Sequence, residues 1–147
     1  MDKKFISNSI KDTIKFANNI SKNIKDKDII LLCGNLGTGK TVISKAICKY
    51  FGVEDDVISP TFNILKTYTT SNKLINTIYH FDLYRIKNTD ELDILGFDDY
   101  IYRNNSITLI EWPELVKDSI ISKYKLININ YSKKDENERI IEYEIKE

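Results

Sequence analysis

The chain has 147 residues, 41% of them hydrophobic, with 22 Lys+Arg against 22 Asp+Glu and a formal net charge of zero. That length fits a single domain over 1–147 with a core that needs no staples, and the apolar share excludes a disordered chain. The balanced charge argues against a dedicated nucleic-acid binder, which carries a basic excess.

From the N-terminus, "MDKKFISNSI" has no apolar h-region of a secretory signal, and no later run approaches the length of a membrane span. Cys33 and Cys48 form no CxxC pair and read as buried thiols of a reducing compartment. A soluble, cytoplasmic protein with no membrane partner is the expectation. Residues 5–7 suit a short first strand. "SIKDTIKFANNISKNI" follows at helical spacing, with Ile10, Ile14, Ala17, Ile20 and Ile24 on one face, Ser9 as N-cap and Asp12 three residues on. "DIILLC" (28–33) is a continuous apolar run, the pattern of a strand buried on both faces. A helix is predicted from about Lys40 to Phe51, burying Ile43, Ala46, Ile47 and Tyr50 and stopped by Gly52. Pro60 breaks the chain at "VISPTF". Two strands are then predicted within 62–85, turning at "TTSNK". "TDELDILG" is a short helix with Thr89 as cap and Gly96 as terminator. "ITLIE" (107–111) is another buried strand, "WPEL" a short helix or irregular turn, and "YKLINI" with "ERIIEYEI" a closing hairpin around "SKKDEN". β-loop-α units followed by antiparallel hairpins predict a three-layer α/β fold with a mixed parallel/antiparallel central sheet.

The strongest local signal lies between the buried strand and its helix. Gly34-Asn35-Leu36-Gly37-Thr38-Gly39-Lys40-Thr41 matches G-x-x-x-x-G-K-[ST] in full, which makes the expected α/β fold a P-loop NTPase fold. Glycines let such a loop wrap a phosphate with backbone N–H groups, and the following helix adds the positive end of its dipole. Lys40 is placed to reach the β- and γ-phosphates, and the Thr41 hydroxyl to bind Mg²⁺. A phosphate loop also needs an acid at the end of a neighbouring strand. Glu111 closes "ITLIE", and Asp82 lies late in "TIYHFDLYR". If 78–85 is extended, Ile78, His80, Asp82 and Tyr84 share one face, while Tyr79, Phe81 and Leu83 form a core face. His80 is the chain's one histidine, which excludes a His-only metal centre. A mixed site with carboxylates stays open. So does a structural role, holding a backbone carbonyl or orienting Asp82.

"GNLGTGKT", "SPTF" (59–62), "HFDLYR" (80–85) and "LIEWPE" (109–114), in that order and spacing, resemble the TsaE (YjeE) family across nearly the whole chain. The resemblance implies a Mg²⁺-dependent ATPase with weak intrinsic activity, required for N6-threonylcarbamoyladenosine modification of tRNA. It implies a nucleotide switch on the TsaD–TsaB pair, with TsaD the transferase and tRNA met only indirectly. ATP would be held by Gly34, Asn35, Leu36, Gly37, Thr38, Gly39, Lys40, Thr41 and Val42. Thr41, Glu111 and Asp82 would serve the metal, and Lys40, Asp82 and Glu111 the chemistry. Ser59, Pro60 and Thr61 resemble a switch segment sensing the γ-phosphate. Trp112 is similar to the family's aromatic beside the nucleotide, and Ser7 and Arg139 fall where the base or nucleotide lies. The chain has Asn35 and Thr38 where the family often has Asp and Ala, and Val42 where a second Thr is frequent. A small-molecule P-loop kinase is the main alternative, but it usually needs an Arg-rich lid, and the arginines are only Arg85, Arg103 and Arg139. A GTPase would need N-K-x-D, and "NKLI" (72–75) lacks the Asp. A binding module gated by nucleotide shades into the preferred reading.

Overall fold

Strand β1 (Lys3–Ser7) leads into helix α1 (Ile10–Ser21), whose start is fixed by a reciprocal cap. Ser9 Oγ accepts from the Asp12 amide at 3.2 Å, and Asp12 Oδ2 accepts from the Asn8 amide at 2.9 Å. One orphan donor of the first turn, and the amide just before the cap, are thereby satisfied. The buried stripe of α1 is Thr13, Phe16, Ala17, Ile20 and Ser21; of the row expected from spacing, Ala17, Ile20 and Ile24 are buried and the first two isoleucines are not. Ile10 is 68% exposed and Ile14 38%. Phe16 displaces them because its ring packs between Phe5 and Tyr143 on the edge strands.

Strand β2 (Ile29–Cys33) has no solvated face, since Ile29 to Leu32 are wholly buried. Such a strand is stable only inside a sheet covered on both sides. The computed structural model describes residues 3–60, 63–120 and 122–147. It places β2 centrally among seven strands, with β3 (Leu65–Thr69), β4 (Thr77–Asp82), β5 (Ser106–Glu111), β6 (Tyr124–Tyr131) and β7 (Arg139–Lys146), in the order β1-β7-β6-β2-β5-β4-β3. The run β6-β2-β5-β4 is parallel, while β7 and β1 on one side and β3 on the other add antiparallel edges. The sheet is therefore mixed, as expected. The closing hairpin is β6–β7, and its first strand runs parallel beside β2.

One face packs under α1 and helix α2 (Lys40–Tyr50), where Ala17, Ile43 and Ile47 meet Leu32, Leu109 and Ile127. The other face lies under helices α3 (Thr89–Leu95) and α4 (Phe97–Tyr100) and 3₁₀ turns at Pro113–Leu115 and Lys117–Ser119. There Leu92, Phe97 and Ile101 meet Leu31, Phe81 and Ile110. These are the three layers. Tyr50, expected in the core, is 45% exposed at the last turn of α2. The cap of α3 is Asn88, one residue before Thr89, with its Oδ1 accepting from the Glu91 amide at 3.3 Å. Gly96 ends α3 at φ 80°, a left-handed stop. The strand expected over 78–85 ends at Asp82, and Tyr84 lies in the turn beyond it.

Candidate nucleotide site

Strands β4 and β5 pair in parallel with Asp82 opposite Glu111, and β5 pairs with β2 with Glu111 opposite Leu32. The two carboxylates thus sit side by side at the C-terminal ends of the central strands. That is the end where open α/β sheets bind ligands. The glycine loop leaves β2 at the same end. A Cβ on Gly34 would come within 2.4 Å of the Ile129 carbonyl oxygen, so only glycine fits the point where the loop crosses β6. The loop is braced by Thr38, whose Oγ1 donates to the Asn35 carbonyl at 2.8 Å, and by Tyr131, whose Oη donates to the Leu36 carbonyl at 2.5 Å. Helix α2 opens at Gly39 with no side-chain cap. Its first-turn N–H groups and positive dipole end therefore face the loop uncompensated, which suits an anion.

Lys40 is only 5% exposed. Its Nζ donates to the Gly34 carbonyl at 2.5 Å and the Asn35 carbonyl at 3.0 Å, and stands 4.2 Å from the Trp112 ring centroid. Burial pulls the ammonium below the usual lysine range, while the charges of Glu111 and Asp82 pull it back up. The cation is thus held between two loop carbonyls and an aromatic face. Trp112 adopts φ 56° directly after Glu111, and its ring also stacks on Tyr84 at 4.8 Å between centroids.

The acids are differently engaged. Asp82 Oδ2 accepts from Ser59 Oγ at 2.5 Å, and its Oδ1 accepts from the Tyr84 amide at 3.0 Å. Glu111, 2% exposed, has Oε1 facing Thr41 Oγ1 at 3.4 Å and Oε2 against His80 Nε2 at 2.5 Å. Thr41 and Glu111 offer hard oxygens beside the glycine loop, a set that fits magnesium, which takes one or two carboxylates and completes its shell with phosphate and water. Among the described residues, no group of three or more His, Cys, Asp or Glu side chains is arranged to hold a metal ion by itself. His80 contacts Glu111 on the neighbouring strand, not Asp82 on its own, which is where the sequence reading had placed a possible partner.

Beside the loop opens a cleft of about 670 Å³, lined by residues that include Asn8, Gly37, Thr38, Gly39, Val42 and Arg139. Gly37, Thr38, Gly39, Val42 and Arg139 are therefore gathered at one place, while Lys40 and Thr41 do not line this cleft. Ser7 does not line this cleft. It is 1% exposed, its Oγ bonded to Thr13 Oγ1 at 2.7 Å and the Ser9 carbonyl at 2.8 Å, so it supports the neighbouring Asn8 and Ser9 from beneath. Arg139 stacks over Tyr131 at 4.5 Å and bonds the Glu136 and Glu138 carbonyls. Thr61 lies outside the described residues. Three contacts were not foreseen from the sequence: His80 on Glu111, Tyr131 under the loop, and Tyr84 on Trp112. The shared "HFDLYR" stretch hinted at the first and third. Nothing local could reveal Tyr131, which joins the loop across 95 residues of chain.

Comparison with known proteins agrees with this geometry. The family described as threonylcarbamoyl adenosine biosynthesis protein TsaE matches residues 7–141. This chain belongs to the TsaE family. A relative in Rickettsia felis, named tRNA threonylcarbamoyladenosine biosynthesis protein TsaE, is 43% identical over 136 residues, covering 92% of this chain and 75% of its own. The TsaE of Bacillus subtilis is 35% identical over 114 residues, covering 78% and 68%. The crystal structure of Bacillus subtilis YdiB superposes with a TM-score of 0.78 at 26% identity, covering 97% of this chain and 84% of that one. The α/β fold expected from the sequence is thus the fold of a solved relative. No helix among the described residues is long and apolar enough to cross a membrane.

Proposed function

We propose that this TsaE-family chain is a Mg²⁺-dependent ATPase of the cytoplasm that acts as a nucleotide switch on a TsaD–TsaB transferase complex during threonylcarbamoyladenosine modification of tRNA. The observation that supports it best is the meeting of the glycine loop, Thr41 at the start of α2 and Glu111 at the end of β5, 70 residues apart in sequence, at one end of the sheet. The relatives' names supply the pathway, and the loop supplies the cofactor class.

The residues divide the work as follows. The open N–H groups of the loop and of α2 bind phosphate oxygens. Lys40 turns from the Gly34 and Asn35 carbonyls to the β- and γ-phosphates, leaving the Trp112 face. Thr41 and Glu111 are the residues that would hold magnesium, which when bound neutralises charge developing on the phosphate oxygens. Asp82 orients the attacking water or the metal's water shell, and Ser59, now bonded to it, couples the 59–61 segment to the state of the γ-phosphate. The cleft next to the loop takes the rest of the nucleotide. The neutral overall charge suits a protein-binding ATPase that reaches tRNA through its partners.

The test is ATP hydrolysis by the full chain with and without TsaD–TsaB from the same source. Stimulation together with a complex seen in size-exclusion chromatography is expected. Neither stimulation nor a complex would sink the switch reading while leaving the fold untouched.

A further inference from the structure

His80 is wholly buried in the middle of β4, where an apolar residue would pack at lower cost, so its imidazole calls for a reason. In the parallel register His80 lies opposite Leu109 and Asp82 lies opposite Glu111. The imidazole therefore reaches diagonally, two residues along the next strand, to meet Glu111. Its Nε2 lies 2.5 Å from Glu111 Oε2, and its Nδ1 is buried with no hydrogen-bond partner among the described residues. On its other side the ring lies beside Tyr68, at 6.2 Å between centroids. Tyr68 is 2% exposed and tied through its hydroxyl to the Ile58 carbonyl. A carboxylate oxygen is acceptor-only, so contact with it requires the proton on Nε2.

We propose that His80 is a positioning residue: its Nε2–H fixes Oε2 of Glu111 so that Oε1 alone is presented to Thr41 and to the magnesium of the nucleotide. This deepens the reading of the site given above and rests on it. A free glutamate could turn both oxygens inward or rotate away. Held by one oxygen, Glu111 has a single orientation, with Oε1 towards Thr41 Oγ1 at 3.4 Å. Partners of this kind behind a metal ligand typically contribute about 10–100-fold in metal affinity.

The single histidine makes the test direct. In the ¹⁵N-labelled full chain, the imidazole spectrum is expected to show a proton on Nε2. A bare Nε2 would overturn the proposal without any mutation. Next, ADP binding is titrated by calorimetry in EDTA and across a Mg²⁺ series, in wild type, His80→Gln and His80→Asn. The glutamine amide nitrogen stands where Nε2 does, whereas that of asparagine stands where Nδ1 does. His80→Asn is expected to raise the half-saturating Mg²⁺ about 10–100-fold. His80→Gln should restore it to within a few-fold, and ADP affinity in EDTA should stay unchanged in both. Equal Mg²⁺ dependence in all three chains overturns the role of His80 and leaves the nucleotide site standing. Wild type that binds no ADP under either condition overturns the nucleotide reading itself.

Discussion

Lys40 carries a stability cost beside the phosphate-binding role proposed for it. Its folded ammonium is disfavoured by burial relative to the unfolded chain, so its pKa is lowered on folding. For a lysine with a depressed folded pKa, the cost is present at neutral pH and lifts only as pH rises towards the unfolded value of 10.5. Lys40→Met is therefore expected to abolish ADP binding in calorimetry while leaving the urea midpoint unchanged or slightly higher. A midpoint that falls sharply would show the ammonium to be a structural pin. Glu111→Ala separates the other half of the site. It removes Oε1 from Thr41 and leaves His80 Nε2 facing a cavity. Mg²⁺-dependent turnover in the presence of the partners should fall by an order of magnitude or more, with ADP binding in EDTA retained. "Hydrophobic strand, then acid" made Glu111 legible in the sequence. The engagement of His80 was not, because it depends on the stagger between two strands, and one residue of slip would carry the imidazole to the opposite face.

Helix α1 shows what local chemistry decides and what packing overrides. Its start follows from Asn8, Ser9 and Asp12: Ser9 Oγ accepts from the Asp12 amide and Asp12 Oδ2 from the Asn8 amide, all within one turn of chain. Ser9→Ala is expected to cost about 1 kcal/mol, within a range of about 0.5–2, in urea unfolding. Its face does not follow from spacing, because Ile10 and Ile14 fit the same stripe in sequence as well as Phe16 does. The ring of Phe16, larger than any isoleucine, takes the seat between Phe5 and Tyr143. In β5, by contrast, every residue is buried, and Leu109 is fully enclosed between α2 and the sheet. Leu109→Ala should cost about 2–5 kcal/mol, since the strands on either side prevent collapse around the cavity. An effect below 1 kcal/mol would show that α2 can settle into the gap.

At the scale of the whole molecule, the two apolar layers set a pH limit through Cys48. Burial pushes its thiol from 9.0 up to about 12. Above pH 9.0 the unfolded thiol loses its proton while the folded one keeps it, so the unfolded state binds fewer protons and stability falls with rising pH. The contribution is fully present below pH 9.0 and is lost as pH rises to about 12. The urea midpoint of wild type relative to Cys48→Ala should therefore narrow as pH is raised from neutral towards 11. A constant gap would mean that the thiol stays hydrated. The same enclosure explains the mixed sheet. Parallel strands β6-β2-β5-β4 lie under helices on both faces, and antiparallel strands close the two edges.

By itself the sequence determined the glycine loop, the two acids, the order of strands and helices and the family, because each is written in contiguous residues with a local physical cause. A phosphate loop needs its glycines and lysine at fixed spacing, and a doubly buried strand needs an unbroken apolar run. Only the tertiary structure decided which face α1 buries, that Ser7 supports the cleft from below and does not line it, that Tyr131 braces the loop, and that His80 serves Glu111. Each of these depends on strand register and on contacts between distant segments, and those are set by packing the whole sheet.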